Sequence, residues 1–152
     1  RKLPDVAWRT TFIVGFPTET DQDFEELVDF VSEGHFQHLG IFLYSDEDNI
    51  RSSKFGDPIP LSLKEERKNR LMEIQQKISK EHHQKMVGSL QQVLVGGFCS
   101  DTDLLLEGRN QYEGPEVDGV VYINEGNATS AGFHQVEITE AHEYDLVGKI
   151  LN

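Results

Sequence analysis

Few residues in this 152-residue chain have both the type and the spacing to do chemistry. Cys99 is the single cysteine, so it can close no intramolecular disulfide and cannot build a cysteine-ligated metal or iron–sulfur site on its own. As a small thiol near a strand end, it reads as a buried or half-buried packing residue. His82 and His83 are adjacent, so on a helix they point in different directions and lack the i, i+4 spacing of a metal pair. His35 and His38 flank Phe36 with no third ligand at suitable spacing and read as surface histidines. Glu25-Glu26 sits on a polar helix face opposite Leu27 and Val28 and is no catalytic dyad. Asn127-Ala128-Thr129 fits a glycosylation pattern, which a cytosolic protein would carry by chance. Two stretches stand out. In one, Gly15-Phe16-Pro17-Thr18-Glu19 closes an apolar strand, and barrel folds place their sites at the C-terminal ends of parallel strands. The other comprises Glu116 and Asp118, within Pro115-Glu116-Val117-Asp118-Gly119, together with Glu143 and Asp145. These acids would face a cationic partner, while Glu116 and Asp118 could instead hold their turn through main-chain N–H groups.

The elements that must position these residues follow from charge and periodicity. The chain is 37% hydrophobic and 27% charged, a soluble globular composition. No apolar run reaches the ~18 to 20 residues that span a bilayer and no secretory signal opens the chain, so a cytoplasmic protein without membrane contact is expected. A formal charge of −13 repels phosphate backbones and makes nucleic acid an unlikely partner. That charge falls in three blocks. Residues 1–61 hold 12 acids and 5 bases, residues 62–87 hold 4 and 7, and residues 88–152 hold 11 and 2. A boundary is expected at Gly56-Asp57-Pro58-Ile59-Pro60, where the prolines resist helix interior and central strand.

In the first block, Thr10 to Gly15 and Leu39 to Tyr44 are short, apolar runs of the kind buried on both faces of a parallel sheet. Between them Thr20 caps a helix with Asp21 and Asp23 in its first turn, Phe24, Leu27, Val28 and Val31 along one stripe, and Gly34 as a stop. The result is a βαβ unit. Two strands leave sheet faces uncovered, so a missing N-terminal part is expected. In the second block, Ser62-Leu63-Lys64-Glu65 reads as a capping box opening a helix over 62–87. Leu71, Ile74, Ile78 and His82 form its stripe, and Glu65, Glu66, Arg67, Lys68 and Arg70 a solvated face. From Ser89 onward five short strands are expected, at Leu90 to Phe98, Asp103 to Gly108, Val117 to Ile123, Phe133 to Ile138 and Leu146 to Leu151. They predict a small antiparallel barrel of the OB type. The fold class is thus α/β followed by all-β.

At this point the words of the sequence resemble a family. Arg9-Thr10-Thr11-Phe12-Ile13-Val14-Gly15-Phe16-Pro17-Thr18-Glu19-Thr20 resembles the fifth-strand motif of the radical S-adenosylmethionine methylthiotransferases, and Phe42-Leu43-Tyr44-Ser45 their sixth strand. Gly114-Pro115-Glu116-Val117-Asp118-Gly119-Val120-Val121-Tyr122-Ile123 and Glu143-Tyr144-Asp145-Leu146-Val147-Gly148 resemble the TRAM domain of the RimO branch. The resemblance covers nearly the whole chain. It implies a C-terminal fragment: the end of a radical S-adenosylmethionine barrel in 1–61, a linker helix in 62–87 and a TRAM barrel in 88–152.

The family adds a methylthio group to an aspartate of the twelfth small-subunit ribosomal protein, using S-adenosylmethionine and two 4Fe-4S clusters. The resemblance implies cofactor contacts at Ile13, Val14, Gly15 and Pro17, and contacts to the basic ribosomal protein at Glu116, Asp118, Glu143 and Asp145. The cluster cysteines are not in this chain, so no catalytic residue, no metal ligand and no bound cofactor is expected here, and the fragment alone should be inactive. Two positions depart from the family: Thr18 stands where it has glycine, and residues 46–51 replace a Gly-Thr turn. A sister enzyme of the MiaB type, acting on tRNA, and a non-catalytic protein-binding module are the alternatives. Charge favours the protein-directed enzyme, because a tRNA-binding domain calls for several exposed Lys or Arg.

Overall fold

The computed structural model describes residues 6–47, 51–128 and 131–151. The chain divides into two compact units, Ala7–Ile78 and one containing Ser79–Asn152.

The first unit is the expected βαβ. Strand β1 (Arg9–Val14) and strand β2 (His38–Leu43) pair in parallel, with Phe12 opposite Ile41 and Val14 opposite Leu43. Helix α1 (Asp21–Ser32) joins them, and its start is written in the sequence: Thr20 accepts from the Asp23 amide at 3.1 Å while the Asp23 carboxylate accepts from the Thr20 amide at 2.8 Å. This reciprocal box satisfies two orphan donors of the helix end. At the other end Gly34 takes φ = 74°, open to glycine without strain. Phe24, Val28 and Val31 bury the α1 stripe against Val14, Ile41 and Leu71. The other sheet face is open, since Ile13 and Phe42, side by side in register, are 57% and 63% exposed.

Helix α2 (Leu61–Gln84) differs from the reading in three ways. It begins at Leu61, with the Pro60 carbonyl accepting from the Leu63 and Lys64 amides, so Ser62 lies inside the first turn and no capping box forms on it. Its buried stripe runs Lys64, Arg67, Leu71, Gln75, Ser79 and His83, and Arg67, expected in solvent, is 3% exposed. His83, rather than His82, is the buried histidine. One residue of phase is about 100° of helix rotation, enough to exchange the two.

In the second unit β3 (Leu90–Cys99), β4 (Thr102–Arg109), β5 (Val121–Glu125), β6 (Gly132–Ala141) and β7 (Leu146–Ile150) close a barrel in the order β3-β4-β5-β7-β6. The five strands are as expected, but the sheet is mixed, because β5 and β7 run parallel. Topology requires it. Around a closed ring an odd number of strands cannot alternate in direction throughout, so at least one pair must be parallel. Val93, Val95, Val121, Ile123, Val136, Ile138, Leu146 and Ile150 fill the interior, nearly all β-branched and suited to a pleated surface. The third expected strand starts late: residues 115–117 form a turn, and β5 begins at Val121.

Candidate functional site

In the first unit, the C-terminal end of β1 and the turn after it carry the expected cofactor residues Ile13, Val14, Gly15 and Pro17. Their main-chain groups are more occupied than an open strand end would offer. The Gly15 amide donates to both carboxylate oxygens of Glu19 at 3.1 Å, and the Val14 carbonyl accepts from the Tyr44 amide at 2.9 Å. Val14 is fully buried and Pro17 half-buried, whereas Ile13 presents its side chain on the open sheet face. Gly15 has φ = 75°, and a Cβ there would lie 2.3 Å from Cγ of Lys64. Glycine is therefore required by the helix packed on it as well as by its backbone angle.

Around this turn lies a set of charges that periodicity did not single out. Arg67, with its side chain 4% exposed, pairs with Glu19 through Nη1 and with Asp21 at 2.6 Å through Nη2, and its guanidinium lies 5.2 Å from the Phe24 ring centroid. Lys64 Nζ donates to the Tyr44 carbonyl at 2.8 Å and pairs with Asp57. Gln75 donates to the carbonyls of Phe36 and Gln37 at 3.1 and 3.2 Å. Every cation on the buried stripe thus has a carboxylate or carbonyl partner, the condition under which burying it is tolerable. The usable signal was the i, i+3 spacing of Lys64 and Arg67 leading into Leu71 on one face. Glu19, already part of the strand-end motif, is the residue that ties the strand turn to that face. As a pair-bonded carboxylate it positions the turn and is no free base. Residues 48–50 of the departing loop lie outside the described residues.

In the second unit the expected acids do several jobs. Asp118 accepts from the Gly114 amide at 2.6 Å, and its own amide donates to the Gly114 carbonyl. Asp145 accepts from the Val120 amide at 2.9 Å. Both hold the approach to β5, a structural role that the sequence leaves open for Asp118 and does not announce for Asp145. Glu143 pairs with Lys80 at 2.8 Å, which, together with a bond to its own amide, keeps its carboxyl below the ordinary range. Glu116 is exposed and occupies the left-handed region at φ = 62°, a conformation costly outside glycine. Behind them lies a pair that the sequence did not announce. His83 donates from Nδ1 to the His142 carbonyl at 3.0 Å, and its Nε2 lies 3.5 Å from Glu113, both side chains under a tenth exposed. Burial opposes charge on the ring, yet the Glu113 carboxylate, the His142 carbonyl and the more distant Asp145 outweigh it and raise the His83 pKa. Cys99 is buried and unlinked.

Residues 87–151 match the TRAM domain family. Over 150 residues, 99% of its length, the chain is 45% identical to the ribosomal protein uS12 methylthiotransferase RimO of Desulfotalea psychrophila, of which it covers 34%. It is 47% identical over 149 residues to the RimO of Bdellovibrio bacteriovorus, covering 33% of that protein, and 42% identical over 150 residues to that of Aquifex aeolicus, covering 35%. The chain spans about a third of the length of these curated relatives. From its strand-end motif to its TRAM barrel, it therefore resembles RimO-type methylthiotransferases throughout.

Proposed function

We propose that this chain is the C-terminal part of an enzyme that methylthiolates an aspartate of ribosomal protein uS12. The observation that carries the reading is the extent of the similarity. It runs through both units at 42–47% identity, so the strand-end turn and the barrel are matched together. The domain plan proposed is 1–61 for the end of the catalytic barrel, 62–87 for a linker helix and 88–152 for the TRAM domain.

In the complete enzyme, S-adenosylmethionine supplies the radical and methyl chemistry together with two 4Fe-4S clusters. The donor set here does not fit a cluster: Cys99 is buried in the second unit and is the single thiol. The residues fit one wall of an S-adenosylmethionine pocket. Ile13 offers an exposed apolar side chain beside Phe42 and Pro17 a rigid surface, while Val14 and Gly15 act from behind, through the Glu19 and Tyr44 bonds that fix the strand ends. The TRAM domain, at −9 over residues 88–152, recruits a basic ribosomal protein through Glu116 and Glu143, with Asp118 and Asp145 shaping the surface. A field of this sign speeds encounter with a cationic protein and slows encounter with RNA.

The test is incubation of the complete, cluster-reconstituted enzyme with S-adenosylmethionine, a sulfur source and either uS12 or tRNA, followed by mass spectrometry. The expected result is one methylthio group on an aspartate of uS12. Modification of tRNA with uS12 untouched would establish the tRNA-directed reading instead, and reactivity toward neither would leave a binding module.

A further inference from the structure

The barrel unit carries a groove of about 260 Å³. That is smaller than the ~300–1,000 Å³ of ordinary small-molecule sites, and it suits one long side chain. Gly96, Gly108, Gly114 and Gly119 line it and leave main chain uncovered, while Leu94, Pro115 and Val120 give it apolar surface. Its charges are Glu107, Glu116 and Asp118 against Arg109. Asp118 is committed to the Gly114 amide. The carboxylates of Glu107 and Glu116 make no hydrogen bond or salt bridge among the described residues, so neither is paired with the nearby Arg109. In the register of the sheet, Leu94 lies between Arg109 on β4 and Phe133 on β6. All three sit on the outer face, because the neighbouring Val93 and Val95 point into the core, and Phe133 is 69% exposed.

We infer that this groove seats an arginine or lysine side chain of an extended cationic polypeptide, its head between Glu107 and Glu116 and its aliphatic stem along Leu94, Pro115 and Val120. The inference rests on the proposed protein-directed function and deepens it by naming where the partner is gripped. A long cationic side chain is the group whose two halves match such a site, apolar along the stem and charged at the tip. The exposed Phe133 ring extends the site for a second cationic side chain by cation–π contact. Nucleic acid would bring phosphates to the carboxylates, and a second copy of this chain would bring another −9 surface; both are repelled. Arg109 is the one local charge that works against the occupant.

The experiment uses the whole 152-residue chain, labelled with nitrogen-15 and titrated with an acetylated (Arg-Gly)3 amide peptide, with citrulline replacing arginine in a control peptide. The amides of Gly96, Gly108, Gly114 and Gly119 should shift with the arginine peptide and not with the citrulline one. Two rim charges removed together in Glu107→Gln/Glu116→Gln should weaken binding about fivefold to tenfold, and Arg109→Gln should tighten it about twofold to threefold, as expected for partly screened surface charges. Weaker binding by Arg109→Gln would mean an acidic occupant and overturn the inference. So would shifts confined to other surfaces, or shifts that depend on protein concentration alone and report a second copy. The two readings fail separately. Methylthiolated uS12 with no groove shifts removes the groove and keeps the function, whereas groove shifts with tRNA as the modified substrate remove the function and keep the groove.

Discussion

The two units solve the burial of their interiors in opposite ways. The barrel fills its core with eight apolar residues, most of them β-branched, and the polar groups it encloses serve mainly to fix turns. The βαβ unit packs Val14, Phe24, Val28, Val31, Ile41 and Leu71, yet buries Lys64 and Arg67 beside them. Barrel closure lets strands satisfy one another's main chain, so side chains need only fill volume. In the two-stranded unit the strand ends lack that partner, so Lys64 from α2 donates to the Tyr44 carbonyl, and Glu19, paired with Arg67 of α2, accepts from the Gly15 amide. The first strategy is sensitive to shape, the second to charge.

The sharpest break in that contrast is Arg67→Met. It leaves Glu19, whose side chain is 11% exposed, without its main counter-charge. An uncompensated buried charge of this kind costs about 3–5 kcal/mol. Trp8 is the single tryptophan and lies in the βαβ unit, so its fluorescence in urea should report the loss. Adding Glu19→Gln to Arg67→Met should recover part of it, and a double variant no more stable than Arg67→Met would show that the pair is not the cause.

The barrel counterpart is Gly119→Ala. A Cβ at Gly119 would lie 1.6 Å from the Tyr144 carbonyl oxygen, an overlap that only backbone movement relieves, at a cost of about 3 kcal/mol. Amide exchange at Val147 and Gly148, which pair with β5 and β6, should accelerate. Unchanged exchange there would mean that the β5 approach and β7 are not held together by this contact. A smaller effect belongs to Thr20→Ala, which removes the acceptor for the Asp23 amide and should cost about 1 kcal/mol by Trp8 fluorescence, as lost N-caps do.

The same contrast explains what could be read from the sequence. Apolar runs and helical spacing are local, so the βαβ order, the Thr20 cap and all five barrel strands were legible. Arg67 was assigned to solvent because its partners Glu19 and Asp21 lie more than 40 residues away, beyond any periodicity. The Ser62 box failed because Pro60 already offers its carbonyl to the first turn. The parallel β5–β7 pair was within reach, since an odd closed ring demands one, but alternation within a strand says nothing of its neighbours. At the candidate site, Gly15 and Pro17 were visible as a motif. That Lys64 packs on Gly15 and Glu19 caps its amide was not, since both depend on how α2 folds back onto the strands.

The finest probe is pH, because one buried ionisable pair separates the barrel from a purely shape-held core. His83 faces Glu113 and the His142 carbonyl, with Asp145 further off, and its pKa is raised against the opposing effect of burial. A histidine whose folded pKa exceeds its unfolded value of about 6.5 contributes stability fully present below that value and lost as pH rises through the folded pKa. The advantage of the wild type over His83→Gln should therefore be largest near pH ~6 and shrink by pH ~9. Amide exchange at Ile138 and Gly148 on the two pH plateaus is the measurement. The Lys80–Glu143 pair serves as internal control: its carboxyl is held below the ordinary range and stays ionised across this window, so Glu143→Gln should shift exchange equally at both ends. If His83→Gln behaves in the same pH-independent way, the ring is held by shape alone and its charge contributes nothing to the unit.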